Sequence, residues 1–261
     1  LQEQNLSKML EKLQESQRNL LKAQESLVDC QNTFDKKQMQ IHELLRQASN
    51  SFLESQKKSS ERSVQIYKNA QEADRYSAEA VWAHIFNNSI SGSSWLKDKT
   101  FSPGRWAVGY PYLYAMYRVL NEIRPNHILE LGLGQSTRMI TQYAAAFEKS
   151  NHIVVEHDPS WIEFMSRELQ LSRQTHLVQM ELEMTKFENV ENVRVYKGFG
   201  EKFGNQKFDF ISIDAPLGGD MYEFARIDVL RLLPDCLMPD FVIMIDDTER
   251  SGEQHTIVKM E

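Results

Sequence analysis

The sequence predicts two regions of different fold class: a long α-helical coiled coil over residues 1–91, and a doubly wound, mostly parallel α/β sheet over residues 127–261. The first observation behind this is that all 11 glycines and all 7 prolines lie after residue 91. The second is a seven-residue apolar repeat in the first region. The third is the alternation of short apolar runs with helical patterns in the second region.

One apolar seam runs along the first region. It consists of Leu6, Leu13, Leu20, Leu27, Phe34, Ile41 and Ala48. A strict seven-residue period keeps one side of a helix facing a partner and favours a left-handed supercoil. The companion position contains polar residues whether it starts at Leu10 or at Met9, so both registers stay open. We expect a homo-oligomer through residues 1–52, and we expect the apolar positions from Tyr67 to Val81 to dock on the following domain.

Composition limits the functions that the chain can have. The formal net charge of −7 lies entirely beyond residue 91, because residues 1–91 carry equal numbers of acidic and basic side chains. An acidic chain is poorly suited to a phosphate backbone, so no nucleic-acid partner is expected. Cys30 and Cys236 form neither a disulfide framework nor a metal motif, which fits a reducing, cytoplasmic setting. No apolar run approaches the roughly 20 residues of a membrane helix.

Residues 92–126 are predicted to connect the two regions. The segment from Phe101 to Pro111 is rich in aromatic residues and helix breakers, and a lid or a plain surface loop both fit it. After it, Tyr112 to Ile123 is predicted to form a helix that ends before Pro125.

The α/β region contains five candidate strands that are nearly continuous in apolar residues, as strands buried on both faces require. They are His127–Leu131, His152–Glu156, Val193–Lys197, Phe208–Asp214 and Phe241–Asp246. Helices are predicted at Ser136–Phe147, Ser160–Leu169 and Met221–Leu233, and an extra strand or hairpin at Thr175–Glu183. In such sheets the ligand lies beyond the carboxyl ends of the strands.

A glycine loop follows the first strand, in the segment from Glu130 through Gly132 and Gly134 to Ser136. Glycine there lets the backbone approach a ligand closely and turn into the next helix. A dinucleotide fingerprint would place a third glycine at position 137, where Thr137 stands. The acid before the first glycine suits a ligand that carries a positive amino group rather than a pyrophosphate.

Glu156 ends the second strand and is placed to accept hydrogen bonds from two ribose hydroxyls. With this acid and the glycine loop, residues 105–257 resemble the class I S-adenosylmethionine-dependent methyltransferases. The resemblance implies cofactor contacts for Glu130, Gly132, Gly134, Ser136 and Glu156. It leaves two roles open for Phe199, which follows the candidate third strand in place of an acid: stacking on the adenine, or filling the core.

Three carboxylates follow the last two candidate strands: Asp214, Asp246 and Asp247. Anions that converge in this way need a cation or a proton among them, and their oxygen atoms suit Mg²⁺. A bound ion would lower the pKa of a substrate hydroxyl. The arrangement is similar to that of metal-dependent O-methyltransferases, above all the macrocin-type sugar enzymes, which implies metal roles for the three acids. Without a metal, Asp246 would cap the next helix and Asp214 would act as a lone base or bind substrate.

Histidines near these acids are candidates for a base. His255 lies just past the aspartate pair, and we predict that it acts with Asp214 in catalysis. His157, Tyr222 and Arg250 rank lower.

The resulting prediction is an O-methyltransferase that uses S-adenosylmethionine, with divalent-metal assistance, on a hydroxyl of a sugar, glycan or small metabolite. Two other functions fit the same residues: a coiled-coil scaffold that binds the cofactor without turnover, and a nucleotide-dependent oxidoreductase. Because the chain starts with Leu1 and the family's sheet has two further strands, we expect it to be a piece of a longer protein.

Overall fold

A computed structural model describes the backbone of residues 2–103 and 107–261, and side-chain surroundings from Lys8 onward except at residue 11. The chain divides into two compact units, of which the first ends at Asp74 and the second runs from Arg75 to Glu261.

A single helix, α1 (Gln2–Ser91), makes up the first unit and enters the second, which confirms the predicted long helix. The seam residues Leu13, Leu20 and Leu27 are between 63 and 70% exposed along it. Most of the stability of helices in proteins comes from packing of an apolar face rather than from backbone propensity. The open seam is therefore available to a partner helix, and the coiled coil itself stays a prediction.

Docking of the helix occurs later than the sequence suggested. Tyr67, Tyr76 and Val81 are exposed, so the prediction that they dock is wrong. Phe86 and Ile90 are instead fully buried in the core of the second unit. Helical spacing continues through both stretches, so periodicity could not tell which turns would be covered.

The second unit contains a five-stranded parallel sheet in the order β3-β2-β1-β6-β7. Its strands are β1 (His127–Leu131), β2 (Asn151–Glu156), β3 (Thr175–Gln179), β6 (Phe208–Ile213) and β7 (Leu237–Ile245). The helices of this unit are α2 (Tyr110–Arg118, continued by a π-helical turn at Val119–Ile123), α3 (Gln135–Ala146), α4 (Pro159–Glu168), α5 (Phe199–Phe203) and α6 (Ser251–Met260). Since strand order reverses between β1 and β6, the sheet is doubly wound, as predicted.

Both faces of the sheet are covered. Ile128 and Phe210 pack on one face with α2, α3 and the end of α1. Leu129 and Ile211 pack on the other face with the aromatic residues of α5. Burial on both sides explains why the strand sequences are continuously apolar rather than alternating.

The third strand of the sheet differs from the prediction. Val193–Lys197 was expected in the parallel sheet, but β5 (Val190–Tyr196) pairs antiparallel with β4 (Leu182–Phe187) in a separate two-stranded sheet. The place beside β2 belongs to β3, inside the segment predicted as an extra strand or hairpin. Val193 and Val195 are buried against Ile227, so the apolar run serves a smaller core instead of the main sheet.

The helix predicted at Met221–Leu233 is also wrong, because only Leu230–Leu232 forms a short 3₁₀ turn there. Arg226 has a φ of 58°, which interrupts a right-handed helix. The Asp228 carboxylate accepts a hydrogen bond of 2.7 Å from the Tyr196 backbone N–H. Tertiary contacts of these two polar side chains thus override the apolar spacing. Within the described ranges, no helix has the length and apolar character needed to cross a membrane.

Candidate active site

Backbone hydrogen bonds align the carboxyl ends of four neighbouring strands. The Gly132 N–H donates to the Val155 carbonyl at 2.9 Å, and the Asp214 N–H donates to the Leu131 carbonyl at 2.9 Å. The Asp246 N–H donates to the Ile213 carbonyl at 3.0 Å. The ladder therefore continues one residue past β1, β6 and β7, and it brings the glycine turn and both aspartates to the edge where β2 ends.

A cavity of about 500 Å³ lies at this edge, a volume typical of small-molecule sites. It is lined by Ser102, Ala107, Val108, Gly132, Leu133, Gly134, Gln135, Ser136, Glu156, His157, Asp158, Trp161, Met165, Asp214, Ala215, Leu217, Arg226, Asp246, Asp247 and Arg250. The glycine loop lines the same space as the aspartates, so a ligand in contact with the loop lies within reach of the acids.

The turn after β1 requires glycine at its first position. Gly132 has a φ of 105°, and a Cβ there would lie 3.1 Å from the Cβ of Ala215. The loop that follows is held by side chains. The Leu133 N–H donates to Glu156 Oε2 at 3.2 Å, and the Gly134 N–H donates to Thr137 Oγ1 at 2.9 Å. Thr137 thus fastens the loop where a dinucleotide fingerprint would have glycine.

Glu156 is nearly buried and faces the cavity from the end of β2. Its Oε1 accepts hydrogen bonds from the backbone N–H groups of His157, at 2.6 Å, and Asp158, at 2.9 Å. With the bond from Leu133, three of about four acceptor positions of the carboxylate are filled. The side chain is therefore fixed in place, and Oε2 retains an acceptor position for a ligand hydroxyl.

Trp161 is a cavity residue that the sequence reasoning missed. Its indole Nε1–H donates to the Leu133 carbonyl at 2.7 Å, and its ring stacks on Phe164 with centroids 5.3 Å apart. Asp158 positions it by capping the start of α4, where it accepts from the Ser160 and Trp161 N–H groups. The Asp-Pro pair before an aromatic residue was a visible capping signal in the sequence.

At the other end of the cavity, carboxylate oxygens of Asp214, Asp246 and Asp247 lie within 4.8 Å of one another. Arg226, which is 3% exposed, lies among them. Its Nη2 is 3.3 Å from Asp214 Oδ1 and 2.7 Å from Asp247 Oδ2. Its Nη1 donates to the Asp246 carbonyl at 3.1 Å. No motif in the sequence pointed to this arginine, because it lay inside a predicted helix.

Burial shifts the pKa values of the titratable side chains at the acidic end of the cavity. It raises the pKa of Asp214 well above its usual value, although the Arg226 charge opposes the change. Burial, reinforced by the neighbouring Asp247 carboxylate, also raises the pKa of Asp246. Tyr112 lies beneath these acids with its hydroxyl 2.9 Å from Ser212 Oγ, and burial raises its pKa as well.

The chain matches no protein-family model and no curated protein. Among solved structures it is similar to a Staphylococcus aureus protein assigned as a caffeoyl-CoA O-methyltransferase, with 13% identity over 57% of this chain and 68% of that one, at a TM-score of 0.37. It is also similar to the plantazolicin methyltransferase BpumL in complex with SAH (S-adenosylhomocysteine), with 14% identity over 56% of this chain and 54% of that one, at a TM-score of 0.30. The chain therefore spans about half of BpumL in that comparison, and at these identities the likeness concerns the fold alone.

Most residues predicted for the site line the cavity. These are Gly132, Gly134, Ser136, Glu156, Asp214, Asp246 and Asp247, together with His157 and Arg250. Glu130 lies below the cavity and is fully buried, with Oε2 3.1 Å from His152 Nε2. Glu130 is not among the residues that line the cavity, and its predicted contact with the cofactor stays a prediction.

Phe199 and His255 lie elsewhere. Phe199 is buried on α5, with ring centroids 4.8 Å from Phe203, so of its two open roles it has the one in the core. His255 is exposed, and its Nδ1 is 2.7 Å from the Glu223 carbonyl. Neither is among the residues that line the cavity, and Tyr222 is likewise exposed outside it. The position of His255 shortly after the aspartate pair in sequence did not predict a place in the cavity, because α6 carries this side chain past the site.

The connector borders the cavity, and its predicted role, a lid or a plain surface loop, stays a prediction. Ser102, Ala107 and Val108 line the cavity, and Val108 is buried. The Ser102 N–H donates to Gln135 Oε1 at 3.2 Å, which ties the connector to the start of α3. Residues 104–106 of the predicted lid lie outside the described residues.

Proposed function

We propose that this chain binds S-adenosylmethionine in the cavity and transfers its methyl group to a hydroxyl of an acceptor. The observation that carries the proposal is that the Gly132 turn, the fixed carboxylate of Glu156 and the aspartates face one cavity. These are the groups that a sulfonium nucleoside and a proton-bearing acceptor need next to each other.

The residues present suit the cofactor. Gly132 and Gly134 line the cavity without side chains, and a Cβ at Gly134 would have no atom within 4 Å, so the loop backbone is open to close approach by a ligand. Glu156 retains an acceptor position for a ribose hydroxyl, and the Trp161 ring provides an aromatic surface for a base. Backbone hydrogen bonds hold the loop and the Glu156 carboxylate in place, so these groups are already ordered before a nucleoside binds.

The charge of the cavity also suits a cation. Five acidic residues line it against two arginines: Glu156, Asp158, Asp214, Asp246 and Asp247, against Arg226 and Arg250. A concave site with an excess of one charge attracts ligands of the opposite charge. A positively charged sulfonium with its amino group fits this field, whereas the pyrophosphate of a nicotinamide dinucleotide does not.

Methyl transfer requires few catalytic groups from the protein. The cofactor, when bound, supplies an already activated methyl group. The protein has to align the acceptor and remove its proton. Asp246 lines the cavity, and none of the side chains described in the structure forms an ion pair with it. We assign the proton-accepting role to an Asp246 carboxylate oxygen, in place of the predicted His255.

The acceptor class follows from the resemblance found in the sequence, which supports a hydroxyl of a sugar, a glycan or a small metabolite. Self-association through α1 belongs to the same proposal. The exposed seam of Leu13, Leu20 and Leu27 presents apolar surface that a second copy of the helix would bury. The scaffold function predicted as an alternative becomes the conclusion if the cofactor binds and no acceptor is methylated.

Calorimetry with SAH tests the proposal. We expect Glu156→Gln to weaken SAH binding by about 10- to 100-fold, the usual cost of removing a charge-assisted hydrogen bond. We expect Asp246→Asn to retain SAH binding while losing methyl transfer to a panel of sugars and phenols.

The matched control is Glu163→Gln, which removes an exposed carboxylate on α4 whose ion pair, within the described part of the chain, is with Arg167. It should leave SAH binding unchanged. Unaltered SAH binding in a folded Glu156→Gln variant, or displacement of SAH by NAD at equal concentration, would contradict the assignment of the cofactor.

A further inference from the structure

We propose that Arg226 takes the place of a divalent metal ion in the acidic cluster, defined as Asp214, Asp246, Asp247 and Glu253. The inference deepens the proposed function, since it concerns how the same site positions its acceptor-binding acids. It makes Arg226 a positioning residue and the site independent of a divalent ion.

The guanidinium contacts every segment that contributes to the acidic cluster. Nη2 reaches Asp214 and Asp247 at 3.3 and 2.7 Å, and Nη1 donates to the Asp246 carbonyl at 3.1 Å. Nε donates to the Pro216 carbonyl at 3.3 Å and lies 3.6 Å from Glu253 Oε1. One cation thus joins the segments after β6 and β7 to the start of α6, which is what a bridging metal ion would do.

The backbone is shaped to make this contact. Arg226 has a φ of 58° and Asp247 has a φ of 59°, both in the left-handed region that side-chain-bearing residues seldom adopt. Such conformations persist only where the surrounding structure holds them, and they concentrate at functional sites. Both partners of the 2.7 Å ion pair carry this strain, which sets the pair apart from the surface ion pairs of the chain.

A metal ion would have to compete with this arrangement. Asp247 Oδ2 already pairs with two arginines: it accepts a hydrogen bond from Arg226 at 2.7 Å and lies 2.6 Å from Arg250 Nη1. A Mg²⁺ ion needs oxygen atoms at about 2.1 Å in near-octahedral geometry. At that distance from Asp214 and Asp247 it would lie against the guanidinium, whose charge is permanent and repels it. The spacing of the carboxylates suits a cation, and the protein itself supplies one.

The arrangement has a consequence for the acceptor. Arg226 pairs with Asp214 and Asp247 and holds their carboxylates in place, while the Asp246 carboxylate lines the cavity without an ion pair from the described part of the chain. The division of roles among the three acids therefore comes from which of them the arginine reaches. A bound metal ion would instead hold all three alike.

The test is a Mn²⁺ titration of the full chain, in which electron paramagnetic resonance measures the free ion. We expect no stoichiometric binding by the wild type up to about 1 mM Mn²⁺, the weak limit of oxygen-ligand sites. Arg226→Met keeps much of the buried stem and removes the charge, so we expect it to bind one Mn²⁺ at least about tenfold more tightly than the wild type. The matched control is Arg194→Met, which removes the ion pair with the single acid Asp220 and should gain no Mn²⁺ affinity.

Two results would overturn the inference: wild-type binding of one Mn²⁺ with a dissociation constant below about 1 mM that Asp247→Asn abolishes, or a folded Arg226→Met variant that gains no affinity. If Arg226→Met does not fold, the wild-type titration decides alone, because binding contradicts the inference and its absence supports it. SAH calorimetry on the same samples separates this result from the proposed function, since loss of the cofactor assignment would leave the Mn²⁺ outcome intact.

Discussion

Asp228 provides a quantitative test of the electrostatics beneath the site. The residue is 1% exposed, its Oδ1 accepts from the Tyr196 N–H at 2.7 Å, and its Oδ2 is buried without a hydrogen-bond partner among the described residues. Burial raises the pKa of Asp228 from 3.8 to about 7. Asp228→Asn keeps the acceptor for Tyr196 and replaces the carboxylate by a group that stays neutral at every pH.

Proton linkage determines whether the free energy of unfolding rises or falls with pH. Between pH 4 and 7 the folded state keeps a proton on Asp228 that the unfolded state has lost, so the free energy of unfolding of the wild type falls as the pH rises through this window. Each pH unit costs about 1.4 kcal/mol, so the total is about 4 kcal/mol and the part lost between pH 5 and 8 is about 3 kcal/mol. The Asn variant lacks this loss. Its stability relative to the wild type should therefore increase by about 3 kcal/mol from pH 5 to pH 8.

Urea unfolding at the two pH values, followed by tryptophan fluorescence, measures this difference. All four tryptophans lie beyond residue 75, so the signal reports the second unit. Asp220→Asn is the control, because hydrogen bonds from Arg194 lower the pKa of that exposed carboxylate. Asp220 stays ionised at both pH values, so its variant should show the same difference from the wild type at pH 5 and pH 8.

A difference between Asp228→Asn and the wild type that changes by less than about 0.5 kcal/mol across the two pH values would refute the reasoning. It would mean that the carboxylate is already ionised at pH 5 in the folded state. Some group other than the contacts of Asp228 described above would then stabilise the ionised carboxylate.

Two further predictions concern the glycine turn and the helix. Gly132→Ala should lower the free energy of unfolding by at least about 1 kcal/mol and abolish measurable SAH binding in calorimetry, because a φ of 105° strains any residue with a side chain and the added Cβ would lie 3.1 Å from the Cβ of Ala215. The control is Gly219→Ala, because a Cβ at Gly219 would have open space. The double change Leu20→Glu and Leu27→Glu should turn an oligomer into a monomer in sedimentation equilibrium, whereas Asn32→Glu, away from the seam, should not. Normal SAH binding by the first variant, or an unchanged mass for the second, would count against the respective proposal.

Much of the fold could be predicted because its signals are local. The absence of glycine and proline before Gly92 predicted α1, and continuous apolar runs predicted β1, β2 and β6 to within one residue. The carboxyl end of β7 was predicted equally well, but this strand begins at Leu237, four residues before the predicted Phe241. The third sheet strand could not be chosen in this way, since β3 and β5 are both short and mix apolar with polar residues, and their pairing in the tertiary structure decides which of them joins the main sheet.

The residues of the candidate site likewise fall into those with a local sequence signal and those placed by tertiary contacts. The acids and glycines at strand ends were predictable, because parallel strands must bring their carboxyl ends to one edge. Trp161 and Arg226 reach that edge from segments between the strands, and His255, which follows the aspartate pair in sequence, does not line the cavity. Distance along the chain contains no information about the direction in which a loop or helix carries a side chain.

By itself, the sequence determined that a long helix precedes a doubly wound sheet, and that glycine and carboxylate groups meet at the ends of its strands. Periodicity and residue type decide these features, and both are local. Only the tertiary structure decided which cation lies among the carboxylates. Arg226 reaches Asp247 through an irregular segment whose shape comes from contacts with other strands and loops rather than from its own amino-acid pattern.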